Sequence, residues 1–332
     1  MTTVHDVVRA LDKLSGGRVS NADPDHSFSI WKDSGIRGKR VLENPGLVWG
    51  HPAQPVKKLA VAMTLSEHDI ELAAATGVDA IVAHHPIADA ASSGGVTLKN
   101  YLGLFGLAVL ELHEAFHGLH PGIAFLHGHQ VRHADIHYGG VEGNVLFVGT
   151  VFPEINVLGD ILSRLESFMG LGEEKELLKM EQEIRGSAAA IEASAVTQGR
   201  IVLGSRESPV EHVLHIFPHT GFSPSHLRRA KEEFPEIDTV LASISRVRDD
   251  SELVREAKRM GLQLVFGNCH VLEILENGLP LAYALEKLLP GVEVVVFRER
   301  VTSIPLREMG GERIREYAEK MANHYLLQKV KV

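Results

Sequence analysis

Residues 59–83 alternate a short apolar run, a helix-forming stretch and a second apolar run. The two runs, LAVAM and AIVA, have the length of strands. Ser66 precedes the stretch between them with Asp69 three residues on, the spacing of a helix capping box, and Gly77 ends it. This order predicts a βαβ unit, in which the two strands are parallel and the crossover is right-handed.

The same order of elements recurs along the chain. A third apolar run follows at residues 107–110, and the second half has strand-like runs at 212–217, 239–242 and 262–266 with helices between them. VDAIVA and IDTVLA occupy matching places in the two halves, which indicates a diverged repeat. We therefore predict an α/β fold of two similar lobes, with a first lobe over 1–150, a helical connection or cap over 151–206 and a second lobe over 207–332.

Charge and composition exclude several classes of protein. Lys and Arg number 34 against 43 Asp and Glu, a formal net charge of −9, so general binding to a nucleic-acid backbone is not expected. The single cysteine, Cys269, cannot form an internal disulfide and favours a cytoplasmic location. No stretch of 18 uncharged apolar residues occurs, so no membrane span is expected.

Histidine is unusually abundant, with 19 in the chain and seven between His113 and His137. His84 and His85 follow the second strand directly, and His113 and His117 follow the third, four residues apart as on one face of a helical turn. Because neighbouring parallel strands end at the same edge of a sheet, we expect these four side chains to lie together. An adjacent histidine pair alone is weak evidence, since polar residues open many loops.

A further strand end carries candidate ligands. Cys269, His270 and Glu273 come soon after the run that ends at Phe266. We favour His270 over Cys269 as a ligand, because a lone buried thiol is usually inert. The predicted metal ligands are His84, His85, His113, His117, His270 and Glu273. They exceed the four ligands of one ordinary zinc ion, so two divalent ions are expected, and the donor types suit zinc, iron, manganese, nickel or cobalt.

Other histidines of the cluster are alternatives to His117. These are His120, His127, His129 and His133. A helix expected to begin at Pro121 should carry them away from the strand ends, which favours His117.

Four stretches carry the motifs of a known family. They are GLVWGHPAQPVKKLAVAMTLS from Gly46, GVDAIVAHHPI from Gly77, GLAVLELHEAFHGLHPGIAFL from Gly106 and FGNCHVLE from Phe266. Together they resemble the Nif-three-like proteins (NGG-one-interacting factor three), often described as type-two homologues of GTP cyclohydrolase I. The second stretch is the most specific, and the likeness covers the regions 45–130 and 210–300.

The resemblance implies the two-lobed Nif-three-like fold, a dinuclear metal site in the cleft between the lobes and a homo-oligomer in the form of a hexameric ring. His84 and His85 match the family's paired histidines, and His113 matches a further histidine. His117 stands where the family has a metal-binding aspartate. The closing glutamate of the family corresponds to Glu273, with Cys269 or His270 in place of its histidine.

The family likeness also implies a function. It suggests a metal-dependent hydrolase acting on a nucleotide or phosphoester-type small molecule, whose identity the sequence does not give. The alternative is a non-enzymatic metal-binding ring that acts as an adaptor or regulator, because no dedicated general base stands out beyond the ligands.

Overall fold

The structure is a computed structural model of the chain. It describes residues 1–19, 28–33, 40–85, 95–141, 143–168, 170–186, 191–192, 199–217, 221–243, 247–267, 273–297, 302–303, 306–308, 311–321 and 323. Contacts divide the chain into two units, of which the first comprises Met1–Leu165 with Gln198–Glu299 and the second Glu166–Thr197 with Arg300–Val332. Both large sheets lie in the first unit.

Helices and strands alternate over much of the chain. The helices are α1 (Val4–Leu14), α2 (Glu67–Thr76), α3 (Gly95–Phe105), α4 (Gly122–Leu126), α5 (Leu158–Phe168), α6 (Leu171–Arg185), α7 (Pro224–Glu233), α8 (Glu252–Arg259), α9 (Leu279–Leu288) and α10 (Glu312–Met321). The strands are β1 (Ile30–Asp33), β2 (Arg40–Glu43), β3 (Gly46–Trp49), β4 (Lys58–Ala62), β5 (Ala80–Ala83), β6 (Ala108–Glu111), β7 (His129–Asp135), β8 (Leu146–Val151), β9 (Ile191–Glu192), β10 (Arg200–Leu203), β11 (His212–Ile216), β12 (Thr239–Ala242), β13 (Gln263–Phe266), β14 (Glu293–Val296) and β15 (Thr302–Ser303).

The first large sheet has five strands in the order β14-β4-β5-β6-β3. β14, β4, β5 and β6 run parallel, and β3 pairs antiparallel to β6 at the edge. Alternate residues of β4 pack on opposite faces: Leu59 and Val61 join a core with residues of α1 and α9, while Ala60 and Ala62 join one with residues of α2 and α3. Helices therefore cover both faces of this sheet, as a buried parallel sheet requires.

The second large sheet has six strands in the order β10-β13-β12-β11-β8-β7. β11, β12 and β13 are parallel, and β10, β8 and β7 add antiparallel strands at the two sides. One face buries Leu214, Val240 and Leu264 against α7 and α8. Phe147 and Phe217 belong to a separate apolar cluster with Ile123 and Val145.

The second unit is smaller and is described by itself. It contains α6, α10 and the two-stranded antiparallel sheet of β9 and β15. In the first unit β1 and β2 form another antiparallel pair.

The predicted α/β fold is confirmed. β4, α2 and β5 form the expected parallel βαβ unit, and the strands expected from the later apolar runs are β11, β12 and β13. The apolar pattern does not predict which sheet every strand joins. β7 and β8 come from the first half of the chain but belong to the second sheet, and β14 comes from the second half but belongs to the first sheet. The division at residues 150 and 206 stays a prediction. None of the helices in the described ranges is long and apolar enough to cross a bilayer.

The capping box of α2 generates a stability prediction. Asp69 accepts hydrogen bonds from the backbone N and the hydroxyl of Ser66, Ser66 Oγ accepts one from Asp69 N at 3.3 Å, and Gly77 ends the helix with φ of 70°. Ser66→Ala should lower the free energy of unfolding by about 1 kcal/mol, measured by denaturant titration. Ser66→Thr keeps the hydroxyl and is the matched control. An alanine variant as stable as the native chain would contradict the role of the cap.

Candidate metal centre

Two histidines lie where β5 ends. The ladder between β4 and β5 continues one step past the strands, since His84 N donates to Ala62 O at 2.9 Å and His85 N donates to Met63 O at 2.6 Å. The backbone of both histidines is therefore held by the sheet. His84 is fully buried, and the side chain of His85 is 13% exposed.

The end of β6 supplies the second pair. Leu112 N donates to Ala83 O at 3.1 Å, so the chain leaves β6 beside the end of β5. It then forms a helical turn in which His117 N donates to His113 O at 3.3 Å. This turn places both rings on one side, 4.6 Å apart between centroids, as the four-residue spacing predicts.

Glu273 reaches the same place from the other sheet. It follows β13 in the chain and directly precedes a π-helical turn, Ile274–Gly278. Such turns are rare and occur often at functional sites. The side chain of Glu273 is fully buried, and its Oε1 accepts a hydrogen bond from Asn277 Nδ2 at 2.9 Å. The cluster therefore joins residues that follow strands of both sheets.

The side chains converge on the carboxylate of Glu273. Its Oε1 lies 2.8 Å from His84 Nε2 and 2.8 Å from His117 Nε2, and these two nitrogens are 3.1 Å apart. Its Oε2 lies 3.0 Å from His85 Nε2. His113 completes a group in which one ligand atom from each of His84, His113, His117 and Glu273 lies within 4.8 Å of the others.

The tautomer of His84 follows from its second ring nitrogen. His84 Nδ1 donates to the backbone carbonyl of Leu112 at 2.8 Å, because a carbonyl oxygen accepts only. In the neutral ring Nε2 then carries a lone pair, which points at Glu273 Oε1 and His117 Nε2. A lone pair facing a carboxylate is unfavourable unless a proton or a cation lies between them.

The carboxylates of Glu114 and Glu43 contact the Nδ1 atoms of His117 and His113. His117 Nδ1 lies 3.0 Å from Glu114 Oε2, and His113 Nδ1 lies 3.1 Å from Glu43 Oε1. Glu43 is itself fixed, since its Oε1 accepts from the backbone N of Glu114 at 2.9 Å. Such carboxylate–imidazole pairs orient histidine ligands and make them more basic.

His117 has the most perturbed pKa in the cluster. Burial lowers its pKa, but the carboxylates of Glu114 and Glu273 raise it more strongly, to about 10. The metal-free His117 is thus an imidazolium between two buried carboxylates. A divalent cation bound at Nε2 would have to replace this proton, so binding and protonation compete.

Most of the predicted ligands lie together. His84, His113, His117 and Glu273 form one group, and His85 adjoins it through Glu273 Oε2. His270 and the alternative Cys269 lie outside the described residues. That any of these six binds a metal stays a prediction.

Glu43 and Glu114 were missed by reasoning from sequence. With His113 they form a second group of possible ligands. The position of Glu114 directly after His113 is a weak signal for a residue that orients histidine. Glu43 lies 70 residues away from His113, and no local pattern marks it.

The expectation that the other clustered histidines move away from the strand ends was wrong for His127. The helix α4 has only five residues, and it returns His127 to the second sheet, where its Nε2 lies 3.0 Å from Ser243 Oγ just after β12. His120 also stays near, since His117 and His84 contribute to lowering its pKa, after burial, to about 4.

Comparison with known proteins agrees with the resemblance. The sequence model of the family Duf34/NIF3 (NGG1p interacting factor 3) matches residues 35–94, which include His84 and His85. A comparison with curated proteins found no match.

Solved structures extend the likeness to most of the chain. Reduced HcgD from Methanocaldococcus jannaschii has 16% identity and a TM-score of 0.56, covering 89% of this chain and 97% of its own. The Bacillus cereus protein related to NIF3 has 12% identity and a TM-score of 0.58, covering 92% and 98%. The Staphylococcus aureus protein SA1388 has 12% identity and a TM-score of 0.57, covering 89% and 96%. At these identities the structures establish the fold. The match of the family model to residues 35–94 agrees with the predicted resemblance to the Nif-three-like family.

The effect of the Glu114 carboxylate on the pKa of His117 can be tested in metal-free protein. In Glu114→Gln protein treated with chelator, the pKa of His117 should fall by roughly one to three pH units, measured by NMR titration of the ring. The proton stabilises the fold because the folded pKa is raised from 6.5 to about 10. This contribution is complete below the unfolded value and is lost as the pH rises through about 10.

The control for this titration is Glu154→Gln, which removes an exposed carboxylate. It should leave the pKa of His117 unchanged. An unchanged pKa in Glu114→Gln would show that Glu114 does not hold the His117 proton.

Proposed function

We propose that this chain is a hydrolase that works with two divalent metal ions and acts on a nucleotide or phosphoester-type small molecule. One observation carries the proposal. Two histidine rings each have one ring nitrogen held by a fixed hydrogen-bond partner, and each directs its other ring nitrogen at the same carboxylate. His84 Nδ1 is held by Leu112 O, and His117 Nδ1 by Glu114. The opposite nitrogens of both rings face Glu273.

The spacing of the donor atoms fits a metal ion. In a tetrahedral zinc site with bonds of 2.0–2.2 Å, ligand atoms lie roughly 3.3–3.6 Å apart. The distances among His84 Nε2, His117 Nε2 and Glu273 Oε1 are 2.8–3.1 Å. Outward shifts of a few tenths of an ångström would admit an ion, which is a small change for side chains.

The two oxygens of Glu273 support a pair of ions. Oε1 faces His84 and His117, whereas Oε2 faces His85. Glu273 would therefore hold cations together with His84 and His117 at one oxygen and with His85 at the other. Zinc, iron, manganese, nickel and cobalt all accept imidazole with carboxylate, so the donor set does not choose among them.

In this proposal the residues around the cluster have separate roles. Two divalent ions, when bound here, would supply an activated water and stabilise the charge that develops on the substrate. Glu114 and Glu43 orient His117 and His113 through their Nδ1 atoms. Asn277 donates to Glu273 Oε1 and so fixes the carboxylate that His84 and His117 share. A substrate would approach from the side of His85, the partly exposed member of the cluster.

Burial favours a second candidate function, a metal-binding ring that acts as an adaptor or regulator. His84, His117 and Glu273 are each at most 1% exposed, and His85 is the partly exposed member of the described cluster, so little of the cluster is open to a substrate. In this alternative the ions support assembly and no reaction occurs. A homo-oligomer, of which a hexamer is the form implied by the resemblance, and a cytoplasmic location belong to both proposals.

One experiment tests the proposal and separates the candidates. The purified protein, loaded with each metal in turn, is analysed for metal content and screened with nucleotides and simple phosphoesters. We expect about two ions per chain and hydrolysis of at least one compound. His84→Ala combined with His85→Ala should abolish both, with an unchanged circular dichroism spectrum, because the strand cores are apolar and independent of the ligands.

The outcomes are distinct. Metal binding without hydrolysis supports the adaptor, and no metal in the native protein contradicts both candidates. An unfolded double variant would mean that these histidines are structural. His68→Ala, which removes an exposed histidine of α2, is the control for loss of a histidine.

His117 provides a sharper test of ligand identity. His117→Asp should keep the metal and shift its preference toward harder ions, because an aspartate oxygen can replace the ring nitrogen. His117→Ala should weaken binding by more than the roughly 10–100-fold seen when only an orienting partner is lost. Metal titration measures both. Equal, unimpaired affinity in the two variants would mean that His117 is a bystander.

A further inference from the structure

Phe217 brings an aromatic ring from the second sheet to the candidate metal centre. It follows β11 directly and is 2% exposed. Its ring is nearly parallel to that of His117, with an interplanar angle of 9° and a distance of 5.7 Å between the ring centroids. This is the geometry of offset stacking, which aromatic pairs prefer over a direct face-to-face arrangement. The predicted ligand His117 therefore contacts a nonpolar ring as well as its two carboxylate partners.

The plane of the His117 ring decides where its Nε2 lone pair points, because the lone pair lies in that plane. The torsion about the Cβ–Cγ bond of histidine is broad, so the side chain itself selects no single plane. Glu114 Oε2 lies 3.0 Å from Nδ1 and Glu273 Oε1 lies 2.8 Å from Nε2. Hydrogen bonds to such oxygens tolerate a range of directions, so a contact on the face of the ring restricts the plane more strongly.

The stacked ring of Phe217 provides this contact. Rotation of the His117 imidazole about Cβ–Cγ would drive one edge of the ring into the face of Phe217, and the dense packing of a protein interior leaves little space for this movement. Small shifts within the plane stay possible, so Nε2 can still move outward to admit an ion. The stack therefore restricts the direction of Nε2 without preventing metal binding.

The ring of Phe217 is itself held by a buried apolar cluster. Phe147 meets it at an interplanar angle of 73°, with 6.3 Å between the centroids. Ile123 and Val145 belong to the same cluster, and these four side chains are each at most 3% exposed. A ring packed in this way is a rigid partner for the imidazole stacked on it.

A second group of histidines, outside the candidate metal centre, also supports Phe217. The ring of His215, in β11, is nearly parallel to that of Phe217, at 13° and 5.9 Å between the centroids. His215 Nδ1 lies 2.9 Å from His129 Nε2, and His215 Nε2 lies 2.7 Å from Ser243 Oγ. Ser243 Oγ is in turn 3.0 Å from His127 Nε2. His215 is thus bonded at both ring nitrogens.

The hydrogen bonds of this group fix the orientation of His215. His127 Nδ1 donates to the backbone carbonyl of Ile123 at 2.8 Å, so in the neutral ring Nε2 accepts from the hydroxyl of Ser243. The hydroxyl oxygen then accepts from His215 Nε2, and His215 Nδ1 accepts from His129 Nε2. A flip of the His215 ring would place carbon atoms against both partners, so the ring keeps one orientation.

We propose that Phe217 is a positioning residue of the candidate metal centre, and that it holds the ring of His117 with Nε2 directed at the bound cation. His215, Phe217 and His117 then form a series of nearly parallel rings that leads from a fixed ring of the second sheet to the ligand. Phe217 has no donor atom for a metal ion and acts only through His117. The inference rests on the proposed binding of metal by His117.

The proposal is tested by the zinc affinity of the Phe217→Leu variant, measured by competition with a chelating dye. Leucine keeps most of the apolar volume but has no flat face, so the His117 ring would have to be ordered when the ion binds. Because ordering a side chain opposes binding, we expect the affinity to fall by about threefold to tenfold. Phe217→Tyr keeps the ring and should keep the native affinity. Native affinity in Phe217→Leu would overturn the proposal.

Phe147→Leu is the matched control. It removes a ring from the same apolar cluster, but a ring that meets Phe217 at a steep angle, and it leaves the stack of Phe217 on His117 in place. Its zinc affinity should stay close to the native value. Equal losses in Phe147→Leu and Phe217→Leu would mean that a loosened core weakens the site, and they would contradict a specific role of the stacked ring.

A measurement on the native protein without metal depends neither on the folding of the variants nor on metal binding. The order parameters of the Cδ2–H and Cε1–H bonds of His117, from ¹³C relaxation, should approach the roughly 0.85 of a rigid backbone. Values below about 0.6 would show a freely moving ring and would overturn the proposal. Failure of the native protein to bind zinc while this ring is ordered would contradict the proposed function, and the positioning role with it.

Discussion

The fully buried carboxylate of Glu273 lies against three imidazole rings, which makes it the interaction on which the site depends. A buried carboxylate is stable only beside positive charge and hydrogen-bond donors. Glu273 follows a strand of the second sheet, whereas His84, His85 and His117 follow strands of the first. The contact therefore joins the two sheets at their strand ends, and a proton on His117 or a metal cation can supply the charge.

Two groups of equally buried histidines behave in opposite ways. The pKa of His117 is raised to about 10 because carboxylates adjoin both of its ring nitrogens. The pKa values of His127, His129 and His215 are lowered chiefly because these rings are buried, and neighbouring histidines lower those of His129 and His215 further. Burial is common to both groups, so the neighbouring charges decide which histidines hold a proton. This difference separates a charged site suited to cations from a neutral group of buried histidines.

The sequence predicts those features of the structure that are set by residues close to one another in the chain. The period of the apolar runs, the Ser66 cap and the four-residue spacing of His113 and His117 are local, and each was recovered. Glu43 holds His113 across 70 residues, and His129 meets His215 across 86, so no local signal marks either pair. The fold and the main group of candidate ligands were thus predictable. The orienting carboxylates, the exchange of strands between sheets and the second histidine group were not.

Anomalous diffraction from crystals of the zinc-loaded protein tests the central claim most directly. If the buried cluster is a metal site, an anomalous peak should lie among His84 Nε2, His117 Nε2 and Glu273 Oε1, at about 2.0–2.2 Å from each. A second peak near Glu273 Oε2 and His85 would establish the pair. Peaks confined to exposed histidines, with none in the cluster of a fully loaded protein, would contradict the account.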